Sequence, residues 1–300
     1  MSPSEPQPVA EGLGFPECPR WHRGRLFVSD MMTKQLLEIS AEGTVSVFAE
    51  LPNRPGGTGF LADGSMYVVS MQDCRVLRYG SAGRAEVAEV AGLTDGWLND
   101  LVVDGRGRAY LGDTKGSRNS DGTVTVTEAS AAAPTRIMAV LPGQSPRVVA
   151  TGMEVANGLV VMPDERTLVV SETVARRLTA FTIADDGSLA DRRVFAELPG
   201  EMPNGITADA EGAIWVASHN GCFLRVLDGG EITDRIAVPG GPGCLGVACV
   251  LGGNDRRHLF LCSADFGGRR MPTQEALYDN VLRTGRVDVV TVDVRGAGWP

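Results

Sequence analysis

The chain has 300 residues, 38 of them glycine and 17 proline, with 43% hydrophobic and 22% charged residues and a formal net charge of −9. That acidic balance, with no Lys/Arg cluster, argues against nucleic acid as a partner. No apolar run approaches the roughly 20 residues of a membrane-spanning helix. The opening MSPSEPQPVAEG has neither a basic start nor an apolar core, so no secretory signal is expected. Cys18, Cys74, Cys222, Cys244, Cys249 and Cys262 form no C-x-x-C pair, which fits reduced thiols in a cytoplasmic protein.

One unit recurs along the chain: an apolar pair, a Gly/Asp-rich turn, and a short apolar strand ending in a small polar residue. In chain order it reads RWHRGRLFVSD, FLADGSMYVVS, VVDGRGRAYLGD, VMPDERTLVVS, ADAEGAIWVAS and VLGGNDRRHLFLCS. The central large residues are Phe27, Tyr67, Tyr110, Leu168, Trp215 and Phe260, spaced by 40, 43, 58, 47 and 45 residues. Three residues after each stand Asp30, Ser70, Asp113, Ser171, Ser218 and Ser263. Six copies at this period predict an all-β fold, a six-bladed β-propeller built as a single domain over residues 1–300.

Runs between the hairpins, among them TKQLLEIS, TVSVFAEL, CRVLRYG, RLTAFTI and RRVFAELPG, supply the outer strands. The long third step reflects an insertion, KGSRNSDGTVTVTEASAAAPTRIMAVLPG, which reads as a surface excursion. A second excursion, Asp265 to Gly285, has a helical flavour. The final run GRVDVVTVDVRG lacks a following partner, so it is expected to complete the last blade with a strand around Val9 and close the ring.

Walking back from the large residues to the start of each inner strand reaches Glu17, Thr58, Asn99, Asn157, Asn204 and Leu245. N-G dipeptides commonly mark turns, but Asn99, Asn157 and Asn204 each lie eleven residues before their reference residue and Glu17 lies ten before Phe27. That register brings one side chain per blade to a common axial point. One carboxylate with several amide oxygens suits a hard divalent cation, Ca2+ first and Mg2+ next; the Cys/His cluster of a structural zinc site is missing. His219, just after Ser218, is placed to approach the same mouth, whereas His22 and His258 fall in turns. No G-x-S-x-G, phosphate loop or H-E-x-x-H occurs.

The segments FPECPRW, WLNDLVVDGRGRAYLGD, VANGLVVMPDERTLVVSET, MPNGITADAEGAIWVASHNG and CLGVACVLGGNDRRHLFLCSA resemble, in order and spacing, the senescence marker protein/gluconolactonase/luciferin-regenerating enzyme family. The resemblance implies a six-bladed propeller whose central divalent metal, with Mn2+ and Zn2+ also eligible, is held at Glu17, Asn99, Asn157 and Asn204. Members are often lactonases, and relatives hydrolyse other esters or phosphotriesters. Two departures stand out. The family has Asp where this chain has Asn204, and Asn cannot take a proton. The sugar-lactonase branch has Arg where this chain has Trp97, exchanging a grip on hydroxyls for an apolar wall.

The expected activity is therefore metal-dependent hydrolysis of a lactone or small ester. Asp100 is the first candidate base and Glu17 the second; Asn99, Trp97, Thr58 and His219 would contact substrate. Asp100 can equally be an acceptor that ties a neighbouring blade. A non-hydrolytic propeller, binding a small molecule or running condensation or isomerisation, is the alternative that Asn204 keeps open.

Overall fold

Each recurrent unit folds into an antiparallel hairpin, and two more strands extend it outward. The structure, a computed structural model, describes residues 5–118, 124–125, 133–241, 243–266 and 283–298. Blade 1 runs from the axis outward as Pro16–His22, Arg25–Asp30, Gln35–Ile39 and Val45–Glu50; blade 2 as Pro55–Phe60, Met66–Ser70, Arg75–Gly80 and Gly83–Glu89. Blade 3 is Leu98–Val103, Ala109–Asp113, Thr135–Val140 and Arg147–Met153, and blade 4 is Ala156–Val161, Thr167–Glu172, Arg177–Ile183 and Leu189–Glu197. Blade 5 is Pro203–Ala208, Ile214–Ser218, Cys222–Val226 and Ile232–Ala237. Each inner strand lies against the inner strand of the next blade, and the sixth against the first.

Blade 6 joins the two ends of the chain. Cys244–Gly252, His258–Asp265 and Gly285–Thr291 are completed by Gln7–Leu13, which pairs antiparallel with Gly285–Thr291 through Gln7↔Val289 and Ala10↔Val287. The expected closure around Val9 is realised, and the last strand's open edge is covered. Apolar side chains fill the spaces between blades; Trp215, Tyr110 and Phe223 are almost wholly buried.

The insertion is shorter than the sequence suggests. Thr135–Val140 is the third strand of blade 3, with Tyr110 opposite Ala139, and Ile137, Met138 and Ala139 are fully buried. Proximity to a Ser/Ala/Gly-rich stretch hid an ordinary apolar strand. Most of that stretch, and the middle of the Asp265–Gly285 excursion, lie outside the described residues.

Near the axis, backbones of adjacent blades come too close for side chains. A Cβ on Gly57 would sit 1.8 Å from the Leu101 nitrogen, and one on Gly158 would sit 2.6 Å from the Asn204 carbonyl oxygen. The glycines of the N-G dipeptides thus serve interblade approach within strands rather than turns. Gly57→Ala is expected to cost several kcal/mol, on the scale of severe backbone overpacking, read as a large drop in the midpoint of thermal unfolding.

Candidate active site

The inner hairpins share a β-bulge. Register slips between Glu17 and Arg20, Pro55 and Thr58, Leu98 and Leu101, Ala156 and Leu159, and Pro203 and Ile206, and blade 6 slips between Gly246 and Ala248. A bulge twists a strand and re-aims its side chains. The residues after the first paired positions are Glu17, Gly56, Asn99, Asn157, Asn204 and Leu245. Five of these match the sequence register.

Blade 2 does not. Thr58 pairs with Val68 just as Leu101 pairs with Leu111, so Gly56, and not Thr58, is the ring position. With glycine at the true position, the nearest oxygen-bearing residue was two places too far along. Thr58 is fully buried and donates to the Cys18 carbonyl at 3.4 Å. A similar offset occurs in blade 4, where Glu172, opposite Ala156, ends the second strand instead of Ser171.

The four expected ligand positions come together in two linked pairs. Asn204 Nδ2 donates to Glu17 Oε1 at 3.2 Å and meets His219 Nε2 at 2.8 Å. Asn99 Nδ2 donates to Asn157 Oδ1 at 3.1 Å, and Asn157 Nδ2 donates to Thr173 Oγ1 at 3.1 Å. Thr173 in turn donates to the Pro203 carbonyl at 2.7 Å, joining blades 4 and 5.

Both acceptors around Asn204 fix its amide nitrogen, and its Oδ1 is left buried without a hydrogen-bond partner. An orphaned buried acceptor costs about 1–3 kcal/mol, and a cation would satisfy it. Among the described residues no three His, Cys, Asp or Glu side chains gather to hold a metal. An ion here would rely on one carboxylate and amide oxygens, a donor set that fits a hard divalent cation.

Asp100 faces a different task. Its Oδ1 accepts from Leu101 N at 2.8 Å and from the Arg20 guanidinium at 3.3 Å, and its Oδ2 accepts from Leu159 N at 3.2 Å. Arg20 also donates to the Leu101 carbonyl at 2.7 Å. The buried pair therefore ties blades 1, 3 and 4 just beneath the bulges that carry Glu17, Asn99 and Asn157. Trp97 is only 5% exposed and packs in the large apolar cluster with Leu98 and Met71.

Sequence reasoning missed Arg20 and Thr173. Thr173 was findable, because it follows Glu172 as His219 follows Ser218, each at the end of a second strand.

Burial, and secondarily the Asp100 charge, push the Glu17 carboxyl from 4.5 up to about 8. Burial holds His219 neutral, down to about 4, so its imidazole is available as an acceptor. Burial also pushes the Cys18 thiol well up, which removes it as a thiolate nucleophile. The folded chain keeps on Glu17 a proton that the unfolded chain releases above about 4.5. Metal-free stability should then fall as pH rises toward 8, by up to about 1.4 kcal/mol per pH unit. A cation must displace that proton, so metal affinity should climb over the same range and level off above it. Calorimetry at pH 6, 7 and 8.5 in buffers of different ionisation enthalpy reads both the affinity and the released proton.

The arrangement defines a six-bladed propeller whose inner strands carry Glu17, Asn99, Asn157 and Asn204 at matching bulge positions. The chain belongs to the SMP-30/Gluconolactonase/LRE-like region family, whose profile matches residues 15–265. It is 27% identical over 292 residues to 6-deoxy-6-sulfogluconolactonase from Pseudomonas putida, covering 95% of this chain and 93% of that one. Among solved structures it superposes on luciferin-regenerating enzyme with a TM-score of 0.77 at 17% identity, covering 98% and 97% of the two chains. It also superposes on the calcium-binding protein regucalcin from Agrobacterium tumefaciens with a TM-score of 0.76 at 18% identity, covering 100% and 97%.

Proposed function

We propose that the protein is a metal-dependent lactonase. The observation that carries this reading is the unpartnered, buried Asn204 Oδ1 beside the buried Glu17, with Asn99 and Asn157 half-buried at the matching bulge positions of blades 3 and 4. Membership of a family that includes lactonases supports it. A divalent cation, Ca2+ in the first instance, would be held by Glu17, Asn99, Asn157 and Asn204, and when bound it supplies Lewis acidity toward an ester carbonyl.

Glu17 takes the proton of the attacking water. The water oxygen bonds to the acyl carbon, the ring C–O bond breaks, and the proton passes to the departing alkoxide, giving a free hydroxy acid. Asp100 is not assigned this role, because its oxygens are committed to Arg20, Leu101 and Leu159. His219, neutral and in contact with Asn204, orients that amide.

Sugar lactones, alkyl lactones and aryl esters assayed with Ca2+, Mg2+, Mn2+ and Zn2+ test the reading. Turnover of at least one lactone, lost on chelation, is expected. Silence across the panel, despite tight metal binding, would instead favour a non-hydrolytic role, to which the non-ionisable Asn204 is suited.

A further inference from the structure

The hydrogen bonds around Asn157 run in one direction. Thr173, the residue after the second strand of blade 4, is buried. Its hydroxyl stands 2.7 Å from the Pro203 carbonyl oxygen and 3.1 Å from Asn157 Nδ2. A carbonyl oxygen can only accept, and a hydroxyl has one proton. At 2.7 Å that proton lies between the two oxygens, which would otherwise repel. Thr173 Oγ1 has only lone pairs left for Asn157, so Asn157 has to present its NH2 group to it.

That choice propagates. With Nδ2 turned to Thr173, Asn157 Oδ1 faces the other way and accepts from Asn99 Nδ2 at 3.1 Å. Asn99 is then left with its Oδ1 outside the chain of bonds. One backbone carbonyl in blade 5 thus sets the polarity of two side-chain amides, in blades 4 and 3. Blade 3 does not do this for itself: Thr114, which follows its second strand as Thr173 follows that of blade 4, uses its hydroxyl to accept from Trp97 N at 3.1 Å. In blade 5 the same place is held by His219, whose Nε2 meets Asn204 Nδ2 at 2.8 Å.

Polarity matters to a cation. The two ends of an amide are nearly equal in shape, but one is an acceptor oxygen and the other a pair of N–H donors. A half-turn of the terminal torsion therefore converts a ligand into a repulsive neighbour. Asn157 Oδ1 has two lone pairs and Asn99 uses one, so the other is left for an ion.

We infer that Thr173 is a positioning residue: it passes the polarity of the Pro203 carbonyl through its hydroxyl and so fixes which end of the Asn157 and Asn99 amides is offered to an ion. This rests on the metal-centre part of the reading above and on no step of the hydrolysis.

The test compares Thr173→Val, which keeps the shape and removes the hydroxyl, with Thr173→Ser, which keeps the hydroxyl. Side-chain amide 15N–1H signals of Asn157 and Asn99 are recorded on metal-free protein, and Ca2+ affinity is measured by calorimetry. Thr173→Val is expected to shift both amide signals and to weaken Ca2+ binding by about 10- to 100-fold, the usual scale for a residue that orients a metal ligand. Thr173→Ser should leave both signals in place and hold the affinity within about threefold of the parent's. A hydroxyl that merely tied blades 4 and 5 would lower the unfolding midpoint in Thr173→Val without moving the Asn99 signal, which is one amide removed from the change. Should Thr173→Val not fold, Thr173→Ala takes its place in both measurements. An unmoved Asn99 signal would overturn the inference, as would a parent that binds Ca2+ and a hydroxyl-free variant that binds it equally well. If both signals move and the parent binds no Ca2+, the relay stands and the metal reading falls instead.

Discussion

Glu17→Gln is expected to lower metal-dependent kcat/KM by about 10³-fold or more and metal affinity by about 100-fold, while making the metal-free protein more stable at pH 8. The two effects have opposite signs for one reason. Glu17 is buried, and its charged form is disfavoured strongly enough to push its carboxyl to about 8. Glutamine keeps the shape and can still accept from Asn204 Nδ2, but it sheds the charge that burial penalises. The same substitution removes the carboxylate that, among the described residues, stands with Asn204 at the ring and is assigned the proton of the attacking water. Thermal unfolding without metal and calorimetry with Ca2+ distinguish this from general damage, which would lower stability and affinity together. A variant less stable than the parent at pH 8, or one that binds Ca2+ undiminished, would contradict the assignment.

The propeller and most of its ring were legible because both are periodic. A side chain that recurs at one distance from a repeated aromatic declares its place without any knowledge of contacts, and Glu17, Asn99, Asn157 and Asn204 were placed in that way. What escaped was whatever the period does not encode. Gly56 has no side chain to announce the blade 2 position, so Thr58 stood in for it. Trp97 precedes Asn99 by two residues, yet it is packed among apolar neighbours, and spacing does not tell which way an indole turns. Asp100 looked catalytic from its neighbour, but its acceptors are used by Arg20 and by a strand 59 residues away. The Thr135–Val140 strand was masked by the composition around it.

Arg20→Met is expected to destabilise the fold by about 3–5 kcal/mol, although Arg20 touches none of the four ring oxygens directly. The Asp100 side chain is only 7% exposed, and Arg20 is its ion-pair partner among the described residues. Removing that cation leaves a buried charge held by two backbone N–H groups, a costlier state than an apolar replacement of both partners. The double variant Arg20→Met/Asp100→Asn should therefore recover part of the loss, and a thermodynamic cycle built on the four proteins reads the coupling. Metal affinity should fall in Arg20→Met as well, because the bonds from Leu101 and Leu159 to Asp100 hold the bulges of Asn99 and Asn157 in register. A loss below about 1 kcal/mol, within the range of exposed pairs, would mean that the pair is not shielded, and would return Asp100 to contention as the base.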